Sequence, residues 1–263
     1  MLIDSHCHIP HEKYQQSPEQ IVSEALQGGV EKLVTIGTSL KDSQGVLEVA
    51  RKFENVYAVV GIYPHEDLGL DLPRLEEGLK ALISESAGKV VGIGECGLDR
   101  PENQTDYPVR SLEEQLELFK MQLGLAVQTG LPVVLHNRGA DPEFIDILGK
   151  YKNTGLTGVA HCYSSDWEFA KKLLHLNFYV SFSGLVTYPT TSPSILEAAK
   201  NIPRDRLMVE TDSPYMPPQG HRGEVNYPKY VKITAERIAE IRNTRPEEIE
   251  KYTYENTCRL FKI

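Results

Sequence analysis

The chain of 263 residues carries 28 basic and 37 acidic side chains, a formal net charge of -9, with 40% hydrophobic and 25% charged residues. That balance describes a globular chain able to bury a large core without disulfides or a structural metal, and it excludes a disordered segment. Its sign argues against sequence-independent gripping of duplex DNA, which needs a broad Lys/Arg surface, and against attraction to anionic membranes.

Short apolar, β-branched runs recur at 2–3, 33–36, 56–62, 90–93, 133–135, 158–160, 178–182 and 207–209. Stretches of helical character separate them. The clearest carries Leu112, Leu116, Phe119, Leu123 and Ala126 along one face, and Val231, Ala235, Ile238 and Ile241 make a second stripe. A final helix is expected over 246–261, with Thr244 as N-cap and Pro246 in the first turn. Eight strands alternating with helices predict a parallel sheet, because each parallel pairing needs a crossover. Eight strands close a (β/α)₈ TIM barrel of ~250 residues, here with an extra C-terminal helix; a doubly wound open sheet is the alternative. No linker, charge block or low-complexity tract divides the chain, which reads as one domain over 1–263.

Cys7, Cys96, Cys162 and Cys258 form no C-x-x-C pair, so neither a disulfide framework nor a zinc ribbon is expected. No apolar run approaches the ~18 residues that span a bilayer, and the first residues do not read as a signal peptide. A cytoplasmic location is therefore expected, and with it no glycan on the sequon at 103–105.

His6 and His8 end the first strand, where side chains at i and i+2 share a face and can converge on one metal ion. Glu95, His136, His161 and Asp212 each follow an apolar run, which puts them on the C-terminal rim of strands 4, 5, 6 and 8. A lone histidine there is more simply a core or loop residue. Six ligand-type residues on five strand ends of one rim are not so easily dismissed. They exceed the three protein ligands of a mononuclear catalytic zinc, and two metals sharing Glu95 would use them all, in an arrangement suited to hydrolysis by metal-activated hydroxide. Glu210 shares the face of Asp212 and is expected to orient water or take a proton; a salt bridge within the barrel is the competing role. Cys7, Cys96 and Cys162 adjoin ligands, and strand alternation should turn them toward the helix layer.

Gly92-Ile-Gly-Glu-Cys-Gly97 spells a dinucleotide fingerprint, but the two prolines that follow within 98–108 do not open a helix, so the glycines are read as making room around Glu95. His65 lies on the rim after strand 3 and either binds a substrate anion or packs in its loop. Arg138 and Arg222 are candidates to hold phosphate oxygens, or else solvated loop charges. Tyr163, two residues past His161, should share its face and stack a base or cap the pocket.

Taken together, Asp4-Ser-His-Cys-His8, Gly61-Ile-Tyr-Pro-His65, Gly94-Glu-Cys-Gly-Leu-Asp99, Leu131-Pro-Val-Val-Leu-His136, His161-Cys-Tyr-Ser, Ser181-Phe-Ser-Gly184, Val209-Glu-Thr-Asp-Ser-Pro214 and Glu255-Asn-Thr-Cys-Arg-Leu-Phe261 resemble the TatD-family metal-dependent deoxyribonucleases, within the amidohydrolase-like TIM barrels. The resemblance covers essentially the whole chain. It implies two divalent ions and phosphodiester hydrolysis, often 3′ to 5′ exonucleolytic on DNA. By matched position, His6, His8, Glu95 and Asp212 would hold one ion, and Glu95, His136 and His161 the other, with Glu210 as the family's additional acidic residue. Tyr63, Arg100, Ser165 and Tyr227 depart from the residues common in the family; none is an expected ligand, so the departures bear on substrate choice.

The expected activity is hydrolysis of DNA 3′ ends or small phosphodiesters with Mg²⁺, Mn²⁺ or Zn²⁺; imidazole-rich ligation suits zinc or manganese. Two ions bring four positive charges against the two negative ones of Glu95 and Asp212, so the mouth of an acidic chain can attract a strand end. The alternatives are a metal-dependent amidohydrolase acting on an amide, lactone or aminoacyl-tRNA ester, and a metal-stabilised binding module without turnover. Many amidohydrolases bridge their metals with a carboxylated lysine on strand 4, and Glu95 in that place favours the nuclease. No membrane contact is expected, and the sequence leaves the oligomeric state open, a monomer being compatible with it.

Overall fold

The computed structural model describes residues 1–100 and 108–263, so the sequon at 103–105 lies outside the described residues. The strands are β1 (Leu2–Cys7), β2 (Val30–Ile36), β3 (Val56–Val60), β4 (Val90–Asp99), β5 (Val133–Arg138), β6 (Gly158–Ala160), β7 (Phe178–Phe182) and β8 (Leu207–Val209). Each pairs with the next in parallel, in chain order. The crossovers are α1 (Pro18–Gln27), α2 (Leu40–Lys52), α3 (Leu72–Glu85), α4 (Leu112–Thr129), α5 (Asp141–Lys150), α6 (Trp167–His175) and α7 (Pro193–Asn201); α8 (Val231–Arg242) and α9 (Pro246–Phe261) follow β8. This is the (β/α)₈ TIM barrel with its extra C-terminal helix. No helix among the described residues is long and apolar enough to cross a membrane.

Local chemistry explains where the helices begin. Ser17, Ser39, Asp71, Ser111, Asp166 and Ser192 each accept a backbone N–H from the first turn. Ser17 with Gln20 and Ser111 with Glu114 complete capping boxes. α9 differs from the expected start. Pro246 occupies its first position, which makes Arg245 the N-cap, and the Thr244 hydroxyl donates instead to the Glu248 carboxylate at 3.0 Å.

Two apolar layers result. One lies between the barrel wall and the helices, with Leu47, Leu75, Phe119, Phe144 and Phe178 fully buried. The other fills the barrel: Ile3, Val34, Val59, Val91, Val134, Val159, Tyr179 and Met208 point inward, joined by Leu260 and Phe261 from the end of α9. Phe261 packs beside Gly92, near the start of β4, so α9 covers the end of the barrel opposite the strand C-termini.

β8 and β1 close the barrel through a short seam. Cys7 bridges Ser213, the His8 N–H donates to the Ser213 carbonyl at 2.7 Å, and the Asp212 N–H donates to the His6 carbonyl at 2.9 Å. Below that, Asp4 is fully buried and accepts the Thr211 N–H at 2.9 Å and the Thr211 hydroxyl at 2.5 Å.

Glycines separate close approach from open space. Gly97 has φ +150°, and a methyl group there would overlap the carbonyl oxygen of His136 on β5, whereas nothing lies within 4 Å of a methyl at Gly124 in α4. Gly97→Ala is expected to lower unfolding free energy by at least ~3 kcal/mol through steric overlap and an unfavourable φ. Gly124→Ala is expected to raise it by ~0.5–1 kcal/mol through helix propensity. Urea unfolding midpoints at constant slope check both.

Candidate metal centre

The strands deliver six side chains to the barrel mouth. His6 lies inside β1 and His8 just beyond it, so pleating alone puts both imidazoles on one face. β4 runs through the whole glycine-rich stretch to Asp99, with a register shift between Ile93 and Cys96, so Glu95 sits inside the strand rather than at its end and Gly97 is followed by strand, not by the first turn of a helix. A methyl at Gly61 would overlap Gly94, which is how the small residues let β3 and β4 close up beside Glu95. His136 lies in β5, His161 follows β6, and Asp212 is reached by the turn after β8.

Glu95 stands between two imidazole pairs. Its Oε1 is 2.8 Å from His136 Nδ1 and 2.9 Å from His161 Nε2. Its Oε2 faces the other pair, 3.5 Å from His6 Nε2 and 3.9 Å from His8 Nε2. Asp212 Oδ1 completes that side at 3.6 Å from His6 and 3.4 Å from His8, whose Nε2 atoms are 3.2 Å apart. His136 Nδ1 and His161 Nε2 are 3.3 Å apart.

These spacings fit a cation. Ligand atoms ~2.1 Å from one tetrahedral ion stand ~3.4 Å from each other; the set of His6, His8 and Asp212 brackets that value, and the set of Glu95, His136 and His161 is drawn tighter, at 2.8 to 3.3 Å. Two ring nitrogens facing each other can share only one proton, whereas both lone pairs can serve a metal. The electrostatics agree. Burial opposes charge on Glu95, yet His161, His136 and His6 outweigh it and hold the carboxyl well below the usual range. Burial likewise opposes charge on His161, but Glu95 and Glu210 push its pKa well above the ordinary imidazole value. The carboxylates draw positive charge into the cluster.

Behind the imidazoles stand further acceptors. Glu210, fully buried, lies with Oε1 3.3 Å from His161 Nδ1 and accepts the Cys162 N–H at 2.7 Å. The Ile36 carbonyl lies 3.1 Å from His8 Nδ1. Asp99, which sequence reasoning passed over, stands behind His136 as a charge partner, its Oδ2 3.6 Å from Nε2. Asp99 also accepts the Tyr63 hydroxyl and a fork from Arg138 at 2.5 and 2.8 Å. Burial opposes its charge, but His136, Arg138 and Tyr63 hold its carboxyl below the ordinary range. Its backbone is pinned by buried Gln115 of α4, which receives the Asp99 N–H at 2.8 Å and donates to its carbonyl at 3.1 Å.

The rim residues divide. Arg138 is bound to Asp99 while half of its side chain stays exposed. His65 is buried, accepts the Arg110 N–H at 3.3 Å and lies 3.9 Å from Asp99. Arg222 is exposed, with its guanidinium 4.7 Å above the Tyr188 ring. Tyr163 corrects the expectation that it shares the face of His161. Cys162 adopts φ +42°, which breaks the alternation, and Tyr163 is buried with its hydroxyl on the Asp166 carbonyl at 2.5 Å and its edge against Phe182. Its ring is not open to a base. The same bend leaves Cys162 half-buried against Ser183, whereas Cys7 and Cys96 face the helix layer as alternation predicts. Of the other departures, Arg100 pairs with Glu143, Ser165 bonds Asp141 and Tyr227 bonds Gln16, all between rim segments.

Comparison with known proteins places this arrangement. A sequence model described as TatD related DNase matches residues 3–262. The chain is 35% identical over the full length of both proteins to the "uncharacterized metal-dependent hydrolase YabD" of Bacillus subtilis. It is 34% identical to YcfH of Escherichia coli K12, described in the same words, over 100% of this chain and 96% of that one. The crystal structure of YjjV, a TatD homologue from E. coli K12, superposes with a TM-score of 0.90 at 30% identity, covering 100% of this chain and 98% of the other.

Thr211→Val removes the hydroxyl that serves Asp4. Leaving the buried Asp4 carboxyl oxygen without that donor is expected to cost ~1–3 kcal/mol of unfolding free energy, measurable by urea denaturation.

Proposed function

This chain belongs to the TatD-related DNase family, and from that premise we propose that it is a divalent-metal-dependent phosphodiester hydrolase acting as a 3′ to 5′ exodeoxyribonuclease. The observation that carries the reading is Glu95, whose two oxygens address separate imidazole pairs. A carboxylate so placed can hold two ions side by side, with His6, His8 and Asp212 on one flank and His136 and His161 on the other. When bound, divalent ions supply Lewis-acid polarisation of the scissile phosphate and acidify water at neutral pH.

The protein's own groups do the rest. Asp212 is 8% exposed where Glu95 is 4% and Glu210 is buried completely, so Asp212 is the carboxylate that attacking water can reach, and it accepts the water proton. Glu210 acts through His161, fixing its ring through Nδ1. Asp99 does the same for His136 and at the same time aims Arg138, whose exposed part faces incoming phosphate. Arg222 supplies a second cation on the rim. His65 braces the loop that carries Tyr63, and a contact to a substrate anion stays part of this proposal. Glu95 in place of a carboxylated lysine on the fourth strand weighs against an amide or ester substrate.

Glu95→Ala is expected to lose both ions together, read as metal content per chain after dialysis, and near-full content would sink the bridging assignment. Glu210→Gln should weaken metal affinity or turnover ~10–100-fold without removing either ion. A labelled 3′-tailed single-stranded oligonucleotide is expected to shorten from its 3′ end with Mg²⁺, Mn²⁺ or Zn²⁺. A cyclic amide and a D-aminoacyl-tRNA should stay intact; cleavage of either with the oligonucleotide untouched transfers the site to the amidohydrolase reading.

A further inference from the structure

Tyr215 and Met216 follow the metal-site loop after β8, and both are exposed large side chains, at 37% and 40%. An exposed ring ordinarily keeps rotamer freedom that it must give up on binding. That of Tyr215 is restricted by the contact of its hydroxyl, on a backbone that is itself held. Its N–H donates to the Asp212 carbonyl at 2.8 Å, and its own carbonyl accepts from the buried Asn226 amide at 2.6 Å. Its hydroxyl is 2.9 Å from His11 Nε2. Its ring stands nearly perpendicular to that of His8, with centroids 5.8 Å apart, so the platform lies within one nucleotide of the candidate metal cluster.

A cation is already seated on this platform. The Lys13 ammonium lies 3.9 Å from the centre of the Tyr215 ring, and no carboxylate among the described residues pairs with it. Aromatic faces alternating with mobile cations are how proteins hold single-stranded nucleic acid irrespective of sequence, because every base has a π-face and every link a charged phosphate.

We propose that Tyr215, with Lys13 and His11, forms a nucleotide subsite beside the metal cluster. Tyr215 stacks the base next to the scissile phosphate, and Lys13 leaves the ring for the phosphate of that nucleotide. The subsite rests on the phosphodiesterase reading and deepens it by naming the side chains that contact the base and its phosphate.

Calorimetric titration of the metal-supplemented protein with thymidine 5′-monophosphate and with 2-deoxyribose 5-phosphate tests it, since neither ligand contains a diester and binding is read apart from turnover. Wild-type protein is expected to bind the nucleotide about tenfold more tightly than the baseless sugar phosphate. Tyr215→Ala and Tyr215→Leu, the latter keeping the bulk without the π-face, should bring the two within about twofold. Tyr215→Phe should retain the preference, and Lys13→Ala should weaken both ligands alike. Equal affinity of the two ligands for wild type, no binding of either, or a preference that survives Tyr215→Leu overturns the subsite. A base preference that behaves as expected in a protein that cleaves no oligonucleotide would instead remove the phosphodiesterase reading and leave a nucleotide-binding site.

Discussion

The carboxylate of Asp4, buried between β1 and the loop after β8, accepts both the amide and the hydroxyl protons of Thr211 and so ties the last strand to the first. Burial pushes the Asp4 pKa well up, and the two Thr211 hydrogen bonds, with one from the His6 N–H, pull against that rise. Thr211 separates Glu210 from Asp212, and His6 lies two residues beyond Asp4 on the same face. With the backbone hydrogen bonds from His8 to Ser213 and from Asp212 to His6, this buried contact sets the distance between the donors of β1 and the carboxylates after β8, across a short seam. The other seven pairings are continuous parallel ladders, interrupted by register shifts only in the β1–β2, β3–β4 and β4–β5 pairs.

Upon that closed ring the mouth is organised as alternating charge. Glu95 occupies the centre, the imidazoles surround it, and acceptors stand behind three of them: Asp99 behind His136, Glu210 behind His161 and the Ile36 carbonyl behind His8. Such outer partners fix the orientation and tautomer of a ligating ring. The arrangement also resolves a tension in the composition. The net charge of -9 concerns the whole surface, whereas the mouth concentrates its negative groups where they gather cations, leaving Lys13, Arg138 and Arg222 facing outward around it.

Much of this is legible from the chain because two periodicities carry it. Period two puts His6 with His8 on one face, and the alternation of short apolar runs with helical stripes locates every strand. What escapes is set by contacts between distant segments. Tyr163 fails the period-two argument because Cys162 turns left-handed, a bend that no spacing announces. Asp99 looks like the hydrophilic end of a strand until β5 brings Arg138 and His136 against it. The buried face of α4 includes Gln115 and Gln122, which serve the backbones of Asp99 and Ile62, whereas the predicted stripe of Leu112 and Leu116 is only half-buried. Two glutamines among leucines at helical spacing are the signal that was available.

The covering of the barrel floor by α9 has a temporal side. Leu260 and Phe261 complete a layer whose other members begin with Ile3, so contacts separated by more than two hundred and fifty residues share one packed interior. During synthesis the first seven strands can pair with their neighbours as they emerge, but the interior stays open to water until the last helix arrives. The metal-binding rim and the floor that supports it are therefore finished almost together. A partly made chain would display histidines and carboxylates on a scaffold not yet rigid enough to hold them in register.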